Sequence, residues 1–167
     1  VVLIGALVAL AGSQGGATVR GLPLFAVLIA LVYIIQWLVF IPAFIGQSEK
    51  YYDLTGAITN ISITLLALLL TPTPDLRAYL LALLVIIWAG RLGIFLFRRV
   101  QKAGKDDRFD ELKPNFLRFL NVWTIQALWI SFTLAAALVA ITGQTRVGFD
   151  AWAAIGLLVW ITGFAFE

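Results

Sequence analysis

The sequence contains no Cys, no His and no Met, and only 13% of its 167 residues are charged. Without Cys there is no disulfide framework, haem thioether attachment or thiolate metal site, and redox chemistry says nothing about the compartment. Without His, a Ser-His-Asp triad and a His-ligated metal are excluded within this stretch. Without Met there is no initiator, and the chain opens at Val1 inside one apolar run and stops at Glu167 just after another. It reads as a fragment cut at both ends. The opening VVLIGALVALAGSQGG lacks the basic segment that begins a secretory signal.

Apolar residues are what the chain has in excess. At 62% hydrophobic and a mean hydropathy of +0.99, it carries more apolar surface than a soluble domain, at about 45–50%, can bury. The excess falls into runs of the length a helix needs to cross about 30 Å of hydrocarbon. These runs do not alternate as barrel strands do. The expectation is one all-α transmembrane bundle over residues 1–167, with six helices at about 1–11, 22–45, 53–70, 77–97, 116–141 and 149–166, the first of them incomplete. Pro23 suits the first turn of the second helix, and TPTPD at 71–75 ends the third.

Twelve basic residues against nine acidic ones is the balance of a membrane protein with basic cytoplasmic loops, and it implies no nucleic acid. Lys50, Arg98, Arg99, Lys102, Lys105, Arg108, Lys113 and Arg118 fall on one side of the expected spans. Arg20, Arg77 and Arg146 fall on the other. The first side is therefore expected in the cytoplasm, together with EKYYDLTG at 49–56 and the charged loop RRVQKAGKDDRFDELKP at 98–114.

Polar residues within the spans are costly and mark either helix contacts or a lined cavity. Asp53, Gly56, Asn60 and Thr64 recur at three- and four-residue intervals, so they share one helix face, expected to point inward. Gln36, Gln126 and, one turn before it, Trp123 are candidates with Asn60 for the wall of a mostly apolar pocket. The alternative for Gln36, Asn60 and Gln126 is hydrogen bonding between helices. Gly90, Gly93, Gly156 and Gly163 suit close helix packing, and Trp37, Trp88, Trp129, Trp152 and Trp160 suit interface anchoring or packing. Arg91 either reaches back to the charged surface or holds an anion at the mouth of a site.

Four stretches together, EKYYDLTG, WAGRLGIFLFRRVQKAGKDDRFDE, WTIQALWI and GFAFE, resemble DUF1295, a bacterial membrane family of unknown function related to the steroid 5-alpha-reductases. The likeness runs from about residue 47 to 167. It implies an NADPH-dependent reductase of a carbon-carbon double bond conjugated to a carbonyl, in a steroid-like or other lipid, within the inner membrane of a bacterium. It also implies a cofactor segment that begins at Glu167 and continues beyond it. Hydride transfer to such a bond needs a donor to the carbonyl oxygen, and Glu49, Tyr52 and Asp53 are the candidate set. The steroid enzymes place a Tyr near the end of the helix leading into the basic loop, where RLGIFLFRR has none. Arg91, Arg98, Arg99, Lys105 and Arg108 are candidates for the cofactor phosphates; no GxGxxG follows a strand. Two other readings remain open on the sequence: a methyltransferase resembling the isoprenylcysteine enzymes, and a non-catalytic lipid-binding or assembly protein.

Overall fold

The computed structural model describes residues 1–104, 106–145 and 148–166. Six helices account for most of them: α1 Val2–Gly12, α2 Leu24–Ile45, α3 Tyr52–Leu70, α4 Leu76–Ala103, α5 Phe116–Thr142 and α6 Ala151–Phe166. Helices α2 to α5 are each long and apolar enough to cross a membrane, whereas α1 and α6 are shorter apolar helices. The protein is an all-α helical bundle of membrane type.

Three boundaries differ from the expectation. Pro23 does not enter α2: with Leu22 it forms the strand β2 of a small hairpin, paired to β1 at Thr18–Val19. Arg20 and Gly21, both at positive φ (52° and 81°), make the turn, the geometry that matches strand twist in a two-residue loop. Helix α4 continues six residues past the expected end, through the double arginine to Ala103, where Gly104 at φ 82° stops it. Hydropathy falls after Phe97, but Arg, Lys, Gln and Ala are good helix formers, so the helix does not end there. Helix α6 starts at Ala151, after Asp150 has accepted a bond from the Ala153 amide (2.8 Å) as a cap.

The core lies where α2, α3, α4 and α5 meet, with α1 packed on α2 and α5. Gly5 and Gly12 let α1 lie directly on the rings of Tyr33 and Phe25, since a Cβ at either would collide with them. Of the four glycines expected at helix contacts, Gly93 is one, closing α4 onto Ala57 of α3; a Cβ on Gly90, Gly156 or Gly163 would meet nothing. Within the core, Gln36 donates to the Thr59 hydroxyl (2.9 Å), and at its edge the exposed Trp37 donates to that of Thr124 (3.1 Å). Helix α6 buries no residue, and Arg91 reaches it from α4, donating to the Phe164 carbonyl with its guanidinium 4.3 Å from that ring.

A cavity beneath a pinned loop

The α3 polar stripe points into the bundle, as its spacing predicts: Gly56, Asn60 and Thr64 are buried and Asp53 is half-buried. Beside it lies a cavity of about 300 Å³ between α3, α4 and α5. Tyr52, Asp53, Gly56, Ala57 and Asn60 supply the α3 wall; Trp88, Ala89, Leu92, Gly93 and Leu96 face them from α4, and Ile125, Gln126, Trp129 and Ile130 from α5. From Asp53 to Asn60 the wall rises seven residue steps along the helix, about 11 Å.

Gly56 shapes this wall. A Cβ there would strike the Gln126 amide, which lies across the bare backbone and donates to the Tyr52 carbonyl (3.0 Å). Asn60 donates from Nδ2 to the Gly56 carbonyl (2.9 Å). Each amide nitrogen carries two hydrogens, so each keeps one N–H beyond these bonds. Asn60 Oδ1 and Gln126 Oε1, like Gln36 Oε1 away from the cavity, are buried without a partner among the described residues, a costly condition for a polar atom.

At the end of the cavity Asp53 pairs with Arg99 (3.7 Å). The Tyr52 ring stands edge-on to Phe109 (5.0 Å) and Trp123 (5.1 Å), and its hydroxyl donates to the Val122 carbonyl (3.1 Å). Adjacent residues on a helix do not share a face, yet both border the cavity, because it wraps the first turn of α3. Trp123 is fully buried and borders a separate pocket of about 190 Å³ with Val39, Pro42 and Tyr51. Gln36 is fully buried in its bond to Thr59 and borders neither pocket.

Glu49 lies outside the cavity wall. It is buried in the loop before α3, where it accepts from the Lys113 ammonium (2.7 Å) and the Asp106 amide (2.9 Å). Burial pushes its carboxyl up, but those two donors outweigh burial and hold it below the usual carboxylate range. At neutral pH it is an ionised clasp on the segment 106–115. Lys113 also pairs with Asp110 (3.3 Å). Phe109, in the short 3-10 turn Asp107–Phe109, is buried beside Tyr52 and Phe119. Arg108 is bound to Asp106, with Nε 2.9 and 3.0 Å from the two carboxylate oxygens, which holds Asp106 below its ordinary range.

The outer face of α4 carries a concavity of about 690 Å³ bordered by Arg91, Arg98, Arg99 and Lys102 with Leu92, Ile94 and Phe95. Arg98 and Lys102, one turn apart, have no ion pair among the described residues. Leu92 borders both hollows, and Arg99 reaches from the outer one to Asp53 in the wall of the inner one. Lys105 and Glu167, the remaining candidates, lie outside the described residues.

Sequence reasoning passed over Lys113 and Lys102, counted only as loop charges, and over Trp88 and Trp129, assigned to anchoring or packing. Lys113 is 64 positions from Glu49, and no local spacing announces such a pair. Ala57, Ala89 and Gly93 leave the cavity its room, and small residues carry no signal of their own in an apolar run.

No characterised protein and no solved structure matches the chain. Residues 37–167 match the model of a protein family of unknown function, more than half of the chain, and this protein therefore belongs to the DUF1295 family.

Proposed function

We propose that this chain holds the substrate in a membrane-embedded reductase that acts on a double bond conjugated to a carbonyl, in a steroid-like or other lipid, with NADPH as reductant and the charged end in the cytoplasm. The observation that carries this reading is the pair of amides, Asn60 from α3 and Gln126 from α5, lining one largely apolar cavity with Asp53 and Tyr52 at its end, with an N–H each in hand. Reduction of an enone builds negative charge on the carbonyl oxygen, and preorganised N–H donors in a dry site stabilise that charge. Tyr52 is less available, because its hydroxyl already donates to Val122, and Asp53 paired with Arg99 accepts rather than donates.

The phosphates of a nicotinamide cofactor fit the cations around the outer hollow, where Arg98 and Lys102 have no ion pair among the described residues and Arg91 and Arg99 flank them. When bound, the cofactor supplies the hydride. The chain's own residues orient the carbonyl, through Asn60 and Gln126, and exclude water with Trp88, Ile130 and Trp129. The Asp53–Arg99 pair joins the two hollows. Glu49 acts at a distance, by clasping the segment 106–115 over the start of α3.

The full-length protein in lipid nanodiscs, given NADPH and a panel of enone lipids, is expected to oxidise the cofactor. Replacing Asn60 or Gln126 with Ala is expected to lower kcat about 100-fold per donor lost. Turnover with S-adenosylmethionine in place of NADPH, or no turnover with either, would sink the proposal.

A further inference from the structure

We infer that the cavity is loaded sideways from the bilayer, through the gap between α4 and α5, by a neutral lipid whose polar group goes in first. This rests on the reading of the cavity as a substrate site and adds the route and the head-group charge. The inner part of the cavity is closed, since Gly56 and Asn60 of α3, Ala89 and Gly93 of α4, and Gln126 and Ile130 of α5 are all buried. On the α5 side its border is open: Ile125 is 47% and Trp129 71% exposed. Trp129 lies 13 residues into α5, about 20 Å along the helix. An opening at that depth in a spanning helix faces hydrocarbon, where a dissolved polar molecule does not reside. The route along the helix axis from the charged end is crowded by Tyr52, wedged edge-on between Phe109 and Trp123.

Size and charge narrow the occupant. A volume of about 300 Å³ is at the bottom of the range for ligand pockets, about 300–1,000 Å³, so a long-chain or ring lipid leaves part of itself outside. Ile125 and Trp129 offer that part an apolar surface. Among the described residues, Asp53 is the only one of Asp, Glu, Lys or Arg type in the wall, and Arg99 already matches it. A charged head group would cross hydrocarbon to find no unmatched partner. Asn60 and Gln126 instead suit an uncharged oxygen such as a ketone or hydroxyl.

The absence of native Cys makes the test clean. In nanodiscs, Ile125→Cys and Ile58→Cys, the latter on an exposed part of α3 that borders no described cavity, are each alkylated with a long-chain N-alkylmaleimide. Both are then photolabelled with a photoreactive long-chain ketone. The adduct at 125 is expected to cut labelling of Trp129 and Leu92 at least about tenfold, and the adduct at 58 to leave it unchanged. In the unaltered chain, a photoreactive carboxylate of equal length is expected to label the same residues at least about tenfold less than the ketone. Equal labelling by ketone and carboxylate, or no effect of the adduct at 125, overturns the inference. Enone turnover at full rate with that adduct in place overturns side loading alone. The expected labelling pattern without turnover of any enone lipid overturns the reductase reading alone.

Discussion

The two ends of the bundle are closed by different chemistry. At one end the closure is main chain: Ala17 N–H donates to the Thr142 carbonyl (2.7 Å), Leu24 N–H to that of Ala17 (2.8 Å) and Gln144 N–H to that of Gly15 (3.2 Å). At the other it is side chain: the Glu49 clasp, the Phe109–Tyr52–Trp123 stack and the Asp53–Arg99 pair. Backbone bonds can be made by almost any residue and leave little chemistry behind. Side-chain closure commits particular carboxylates, cations and rings, and it is beside that closure that the cavity lies. The charged end is thus both the more specified and the more vulnerable.

Four substitutions and a titration test that contrast. The largest effect is expected from Glu49→Ala, which leaves the Asp106 amide without its acceptor and the Lys113 ammonium with Asp110 alone among the described residues. Breaking a buried pair from one side costs about 3 kcal/mol, read as a lowered unfolding midpoint in detergent, and hydrogen exchange across 106–115 should rise with it. Gly56→Leu comes next: its side chain must displace Gln126 from the Tyr52 carbonyl, and overpacking of this kind costs about 1–3 kcal/mol. Ligand binding in the cavity should fall too; a variant that binds and unfolds like the parent would show that Gln126 has another place to go.

Acid should loosen one end before the other. Glu49 and Asp106 are both held below the ordinary carboxylate range when folded, so their contribution is complete at neutral pH and is lost as the pH falls beneath about 4. Exchange of the Asp106 amide, bound to Glu49, is expected to accelerate there, once corrected for the intrinsic rate, while that of Ala17 at the opposite end is not. Acceleration at both ends together would mean that the bundle unfolds as one unit.

Smaller effects follow at the margins. Arg91→Ala removes a cation-ring contact and a carbonyl bond at the surface, worth about 0.5–1 kcal/mol. Its consequence should be confined to faster exchange in α6, and loss of protection in α3 would refute that locality. Least of all, Gly16→Ala at the main-chain end meets the Thr142 carbonyl at an ordinary 3.6 Å and is expected to stay within about 0.5 kcal/mol of the parent. A loss equal to that of Glu49→Ala would erase the difference between the ends.

Much of the candidate site follows from helical spacing. The stripe of Asp53, Gly56, Asn60 and Thr64 faces inward because three- and four-residue intervals share a face whatever the neighbours are. Gln126 was recognisable as a polar residue deep in a span. Its partner was not: that Gly56 opens the way to the Tyr52 carbonyl depends on the distance and rotation of α5 against α3, and no interval in the sequence encodes either. For Glu49 the opposite holds. It stood out as a carboxylate at the mouth of a span, yet only the fold of 106–115 brings Lys113 to it and turns a candidate acid into an ionised clasp.

By itself the sequence determined that the chain is a membrane bundle, where its helices run to within a few residues, and which face of α3 is polar. Those properties come from apolar content and from a periodicity built into every helix. Tertiary structure alone decided that Asn60 and Gln126 share a cavity while Gln36 and Trp123 do not border it, and that α4 carries its cations on an outward hollow. Helix packing sets these relations, through the absence of a Cβ at Gly56 and Gly93 and through pairs more than sixty residues apart, which local spacing cannot reach.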